Sequence, residues 1–351
     1  MLNRAVSAQL RSFAKGNNPI VLYTAGCLTG HTLTTMAEAL LRHCPGRVIG
    51  VVDDKSDAES LTSIEAWSWA GPIPVVQNPF TLLAESPDGT DLVVGISLPG
   101  PEHLFKRHRA ELVAVADAGH RVINGLNDTI DHPNIINLRA FTPDQRLKVT
   151  SLDPTAIRIA AVGTEPASPM LSTAIALSQA LGQAGWTADW VPTSSAGVLI
   201  HGFGRPVDAA PVAFASNLLT DLIQTVEAVA EVVVVEGQGG LSEPADTALA
   251  AVITSTTSNR YHVLCHRPTA EEDLPAILAN AADRYHALHQ ASGSPSTLLG
   301  VSLDTSALSE IEGRRSLDTA RALGVPAVDW AKTVSPLATA LSALTEQDRG
   351  S

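Results

Sequence analysis

The stretch VVVVEGQGGLSEP, residues 232–244, sets a carboxylate directly after four valines. An aliphatic strand cannot end in an ionised Glu236 inside the protein unless that group finds a partner. In phosphate-binding folds the acid closing such a strand holds Mg2+, directly or through water. The glycines flanking Gln238 let backbone approach a ligand closely. A second candidate is VLCHRP, residues 263–268. Neighbouring strand residues point to opposite faces, so Cys265 and His266 do not make a nucleophile–base couple. His266 alone has the chemistry of a proton shuttle or ligand contact.

A third candidate is AVGTEPASPMLST, residues 161–173. An apolar run, a Gly-Thr turn and a helical pattern are the parts of a phosphate-binding loop. Gly163, Thr164, Glu165, Ser168, Ser172 and Thr173 are its candidate phosphate contacts, at a helix N-terminus that suits anions. Yet the stretch has no lysine and no second glycine, and each of its two prolines deletes a backbone N–H. The plainer reading is a turn.

Further upstream, NGLND supplies Asn124, Asn127 and Asp128, polar enough for a turn and equally suited to line a cleft. Asp53 closes another aliphatic run, where it is either a ribose ligand or the cap of the next helix. Asp208 has the place of a helix cap as well, and Gly197, Gly202 and Gly204 that of a pocket wall. The pair His286 and His289 in DRYHALHQ falls at i and i+3 of a helix, which a solvated face explains better than a metal. No metal ligand set is expected. TAGCLTGH lacks the dinucleotide fingerprint, so no NAD is expected.

The elements that must position these residues alternate. PIVLYTAG, RVIGVVDD, PIPVV, DLVVGIS and RVINGL are strand-like runs separated by helical or loop stretches. A second series, AIRIAAVG, TADWVPT, EVVVVEG, YHVLCHRP, TLLGVSLDT and VPAVDW, starts near residue 156. Strands of near-continuous aliphatics between helices predict parallel sheets covered on both faces. The predicted fold is α/β, two doubly wound, mostly parallel-sheet domains. The boundary is expected in the polar, Pro-marked connection RAFTPDQRLKVTSLDPTA, giving residues 1–150 and 151–351. TEQDRGS is expected to fray.

The 351 residues carry a formal charge of −13, which argues against nucleic acid and against an anionic membrane surface as partners. No apolar run approaches the ~20 residues that span a bilayer. MLNRAVSAQLRSFAKGNNP reads as a short amphipathic helix ending at Gly16 rather than a signal peptide. Three cysteines without metal spacing suit a reducing cytoplasm.

In combination these pieces resemble a two-domain family that includes D-glutamate N-acetyltransferases. Its first domain is Rossmann-like, and its second is a P-loop fold akin to dethiobiotin synthetase. VINGLND and Arg139 in INLRAF are similar to the end of the first domain. SAGVLIHGFGRPVDA matches the family pattern TGxLIxGxGxxxDA, VVVEGQGGLSEP matches VVVEGQGSLxHP, and LCHRP matches LCHxP. The resemblance spans residues 19–330. It implies acyl transfer from an acyl-CoA such as acetyl-CoA to the amine of a small, acidic, D- or L-amino acid. Glu236 and His266 would be the catalytic residues. Asn124, Asn127, Asp128, Arg139, Gln238 and Glu243 would bind the amino acid, and the loop residues 163–173 the co-substrate. It leaves room for a Mg2+ ion and implies a homo-oligomer. Arg139, Arg205 and Arg267 would offset an anionic substrate.

The loop departs from the family's GTDCxxGK. Asp becomes Glu165, Cys becomes Pro166, the second Gly becomes Pro169 and the Lys becomes Met170. Losing several charge-assisted bonds, at roughly 1.5–3 kcal/mol each, removes most of a triphosphate's affinity. Glu243 replaces a family histidine, so Glu165, Glu236 and Glu243 could form an acidic cluster. Two other readings stand beside acyl transfer: an ATP-dependent ligase or kinase of the dethiobiotin-synthetase type, and a non-catalytic small-molecule-binding paralogue.

Overall fold

The computed structural model describes residues 4–29, 34–96, 102–140, 154–166, 168–242 and 244–350. In chain order the elements are α1 (Arg4–Lys15), β1 (Ile20–Tyr23), α2 (Thr35–His43), β2 (Val48–Val52), β3 (Val75–Val76), α3 (Pro79–Leu83), β4 (Asp91–Val94), α4 (Glu102–Asp117), β5 (Arg121–Asn124) and β6 (Ile135–Asn137). They continue with β7 (Ile157–Gly163), α5 (Met170–Gln183), β8 (Ala188–Val191), α6 (Ser195–His201), α7 (Val212–Glu227) and β9 (Val232–Glu236). Then come α8 (Pro244–Thr257), β10 (Tyr261–His266), α9 (Leu274–Ala291), β11 (Thr297–Leu303), α10 (Glu310–Arg321), β12 (Ala327–Asp329) and α11 (Ser335–Gly350). The terminal residues expected to fray instead continue α11 as far as Gly350.

Two compact units result. One combines Met1–Gln145 with Ser194–Ala209, the other Arg146–Thr193 with Ala210–Ser351. The first unit holds a parallel sheet in the order β3-β2-β1-β4-β5-β6, which is the Rossmann order. Its strands lack polar alternation because helices cover both faces, and β1 and β4 are buried throughout. Tyr23, Val52, Leu92, Leu112 and Val122 meet in its core. Asp53 does not cap a helix here. Its Oδ2 accepts from Thr24 Oγ1 at 2.7 Å and from the Leu28 N–H at 2.9 Å, while Oδ1 accepts from the Lys55 N–H at 3.1 Å. The acid thus ties the ends of β1 and β2 together.

The second unit has the order β12-β11-β10-β7-β9-β8, again with every pair parallel. The chain leaves β7 for β8 on one side and leaves β10 for β11 on the other. β7 and β10 are neighbours, so the topological switch point, where open α/β sheets bind ligands, lies at their carboxyl ends. At the opposite end of β7, the Arg158 Nε and Nη2 donate to the two carboxylate oxygens of Glu227 at 2.7 and 2.9 Å, with both side chains buried. No helix among the described residues is long and apolar enough to cross a membrane.

The histidines of α9 correct one expectation. His286 is exposed, but His289 is wholly buried, and neither of its ring nitrogens has a hydrogen-bond partner. Its ring stacks at 5.1 Å on that of His262, which is also buried. Burial, and after it the neighbouring histidines, lowers His262 to about 3 and His289 to about 4. In the first unit, burial and then Arg42 lower His43 to about 4. Each imidazole ionises near pH 6.5 in the unfolded chain, so the unfolded state binds more protons below that pH. Stability is therefore full above pH 6.5 and falls as pH drops toward 4. Urea unfolding at pH 7 and pH 5 measures this, and His289→Phe is expected to flatten the dependence in the second unit.

Candidate functional site

A row of polar side chains closes the carboxyl edge of the second sheet. At the switch point β7 ends in Gly163 and Thr164 follows, its N–H bonded to the Cys265 carbonyl at 3.1 Å. The Thr164 Oγ1 lies 2.6 Å from His266 Nδ1, and His266 Nε2 lies 2.8 Å from Glu272 Oε1. A carboxylate only accepts, so Nε2 carries the proton toward Glu272 and Nδ1 accepts from the threonine hydroxyl. Thr269 Oγ1 donates to the other Glu272 oxygen at 3.3 Å. Thr164 and His266 are each 3% exposed. A Thr–His–Glu chain therefore runs from the loop after β7, across the end of β10, to the segment before α9.

Cys265 faces the other way, into the core. Burial pushes its thiol up to about 12, which leaves it no nucleophile at neutral pH. Tyr285 of α9 donates to the Gly163 carbonyl at 2.8 Å and fixes the start of the loop.

Three N–H groups of the loop are bonded within it. The Glu165 N–H turns to Ser168 Oγ at 3.2 Å, the Ser168 N–H to the Glu165 carbonyl at 3.1 Å, and the Met170 N–H to the Ser168 carbonyl at 2.8 Å. Pro166 and Pro169 have none to offer. Met170, where the resembling family has lysine, is buried, and a Cβ on Gly163 would come within 2.8 Å of its sulfur. Ser172 and Thr173 lie in the first turn of α5, and the Thr173 hydroxyl is paired with Ser302 Oγ at 2.7 Å.

On the other side of β7, Glu236 ends β9. Its Oε2 accepts the Thr193 N–H at 2.7 Å, and its backbone carbonyl accepts the Thr193 hydroxyl at 3.0 Å. Gln238 Nε2 reaches the Thr193 carbonyl at 2.5 Å and its hydroxyl at 3.0 Å. The glycines of EGQGG have a specific cause. A Cβ on Gly237 would enter the Ala161 carbonyl, and one on Gly240 would enter the Thr164 carbonyl. The turn thus lies directly on the loop after β7. Glu236 and His266 flank β7 two strand spacings apart, with Glu236 level with Ala161 and His266 one residue past the Cys265–Gly163 pair.

A Mg2+ ion would need several hard oxygen ligands. No group of three or more His, Cys, Asp or Glu side chains suited to a metal occurs among the described residues, and Glu236 commits one oxygen to an N–H. Glu243 lies outside the described residues, so the acidic cluster with Glu165 and Glu236 is not assembled from what is described.

The candidates of the first unit form a separate group. Asn124 is buried and stitches its own loop, donating to the Asp128 carbonyl at 2.7 Å and to Asn137 Oδ1 at 2.9 Å. The Asp128 carboxylate pairs with Arg109 at 2.7 Å. Arg139 joins Asn127 Oδ1 at 2.6 Å to Asp208 Oδ2 at 2.6 Å. Asp208 is thus an arginine partner, not a cap: α7 begins at Pro211 without a side-chain cap bond. In the neighbouring glycine-rich stretch α6 occupies Ser195–His201 and Gly202 caps it. Arg267 pairs with Asp304 at 3.0 Å, and Arg205 donates to the Ala140 carbonyl at 3.2 Å. The three arginines expected to offset an anionic substrate are each engaged by the protein.

The sequence reading missed Thr193, Asp304 and Glu272. Glu272 sits in TAEEDLP, where three acids before α9 look like partners of the helix dipole, and Asp273 does cap that helix. A hint lay in the acid six residues after His266, within reach of a short loop.

Comparison with known proteins gives the family and the fold. The family described as "Domain of unknown function (DUF1611_C) P-loop domain" matches residues 146–338. A D-glutamate N-acetyltransferase from Tritonibacter scottomollicae is 25% identical over 251 residues, 69% of each chain. The crystal structure of a DUF1611 family protein from Anabaena variabilis ATCC 29413 superposes with a TM-score of 0.76 at 24% identity, covering 93% of this chain and all of that one. That likeness carries the fold.

Proposed function

The chain belongs to the DUF1611 family, and on that premise we propose that it transfers an acyl group from an acyl-CoA to the amine of a small amino acid, D or L, in the cytoplasm and as a homo-oligomer. The observation that carries the reading is the Glu272-oriented His266 at the switch point, a base held in one tautomer. The D-glutamate N-acetyltransferase relative supports the reaction class.

Amide formation from a thioester and an ammonium group sheds two protons, one ending on the thiol and one in water. The reaction needs a group that takes a proton and returns it, which a neutral imidazole near pH 7 does well. Glu236, an acid closing a buried strand, is assigned to the substrate ammonium. Glu236→Gln keeps the shape and the Thr193 contact but loses the charge. It is expected to lower kcat/KM by about 10–100-fold, the worth of one charge-assisted bond. The test is thiol release from acetyl-CoA across a panel of D- and L-amino acids. Release with at least one acceptor, reduced in Glu236→Gln, is the expected result; a panel without release sinks the reading. The ATP-dependent alternative is disfavoured by the buried Met170 and the self-bonded loop.

A further inference from the structure

We propose that Thr164 is an acyl-accepting nucleophile, with His266 as its base and Glu272 as the positioning residue, so that transfer passes through an acyl-threonyl enzyme; this rests on the acyl-transfer reading above. A hydroxyl within hydrogen-bond reach of a base, itself oriented by a third group, is the arrangement that activates a weak nucleophile. Here the hydroxyl-to-base distance is 2.6 Å and the base-to-acid distance 2.8 Å. Both nitrogens of His266 are occupied, so the ring meets a substrate only through Thr164. Thr164 also stands where a loop built for phosphate would place a ligand contact, and the N–H groups of Glu165, Ser168 and Met170 are bonded within that loop. The Thr164 Oγ1 also lies 3.2 Å from Ser168 Oγ, so the hydroxyl is held between that serine and His266.

The step balances without a metal or redox partner. Thr164 Oγ1 attacks the thioester carbonyl carbon and its proton passes to His266 Nδ1. The carbon–sulfur bond breaks, the thiolate takes that proton, and the free thiol leaves. The neutral amine then attacks the threonyl ester, giving a proton to Nδ1. The carbon–oxygen bond breaks, and Thr164 Oγ1 recovers the proton. Glu272 holds the ring so that Nδ1, not Nε2, faces the hydroxyl in both halves.

The test mixes the full-length protein with acetyl-CoA without an acceptor, and in parallel with p-nitrophenyl acetate, followed by acid quench and peptide mass mapping. The expected result is a burst of about one equivalent of leaving group and one acetyl group on Thr164. Thr164→Ser keeps the burst and carries the label, whereas Thr164→Val shows neither. Glu272→Gln slows acylation at least about 100-fold, since losing the orienting acid can cost more than that. It also shifts the His266 15N signals away from the Nε2–H tautomer, which a merely structural role would not do. Label on another residue, no label from either donor, or wild-type transfer by Thr164→Val overturns the proposal. Labelling of Thr164 by the ester together with no transfer to any amino acid upholds the relay and sinks the reading of the function.

Discussion

His266→Gln is expected to lower the turnover number for acyl transfer by about 100- to 10,000-fold, the range general acid–base groups supply. The substitution retains length and one hydrogen bond, so packing at the end of β10 is largely kept. What it removes is a nitrogen that can accept the Thr164 proton at 2.6 Å while its ring partner donates to Glu272. An interaction used only in the transition state lowers kcat and kcat/KM together and leaves KM nearly unchanged. Steady-state kinetics with acetyl-CoA, alongside circular dichroism to verify folding, distinguishes this from collapse of the site. An unaltered kcat would remove His266 from the chemistry.

Glu227→Ala should be the most damaging change to stability away from the site, costing about 3–5 kcal/mol. It strands the Arg158 guanidinium, 4% exposed, with the Thr257 carbonyl at 3.0 Å as the acceptor that remains among the described residues. The charge cannot be shed, because arginine stays protonated. Replacing both partners, Arg158→Met with Glu227→Leu, is expected to recover most of the loss, since the pair's attraction mainly offsets its own desolvation. Urea titrations followed by the fluorescence of Trp186 and Trp190, in the same unit, measure both. A loss below ~1 kcal/mol in the single variant would mean that water reaches the pair.

The layered architecture was legible because parallel strands covered on both faces read as continuous aliphatic runs, as in VVVV before Glu236 and VIGVV of β2. That Thr164, His266 and Glu236 stand at strand ends was legible for the same reason, since each closes or follows such a run. Partners far apart in sequence were not. Arg139 with Asp208 and Thr193 with Glu236 depend on which loops the sheet order brings together. His289 looked like half of a solvated pair because spacing alone does not say which helix face turns inward. Asp208 looked like a cap for a similar reason: helix caps and ion-pair partners share a residue type, and only the fold separates them.

The proposed function holds that a domain built on a nucleotide-binding topology uses its switch point for acyl chemistry rather than for a nucleotide. Calorimetric titration of one protein preparation with acetyl-CoA, and separately with ATP and Mg2+, tests it most directly. The account predicts saturable heat with acetyl-CoA and none with the nucleotide. Micromolar binding of ATP with Mg2+, and none of acetyl-CoA, would contradict it.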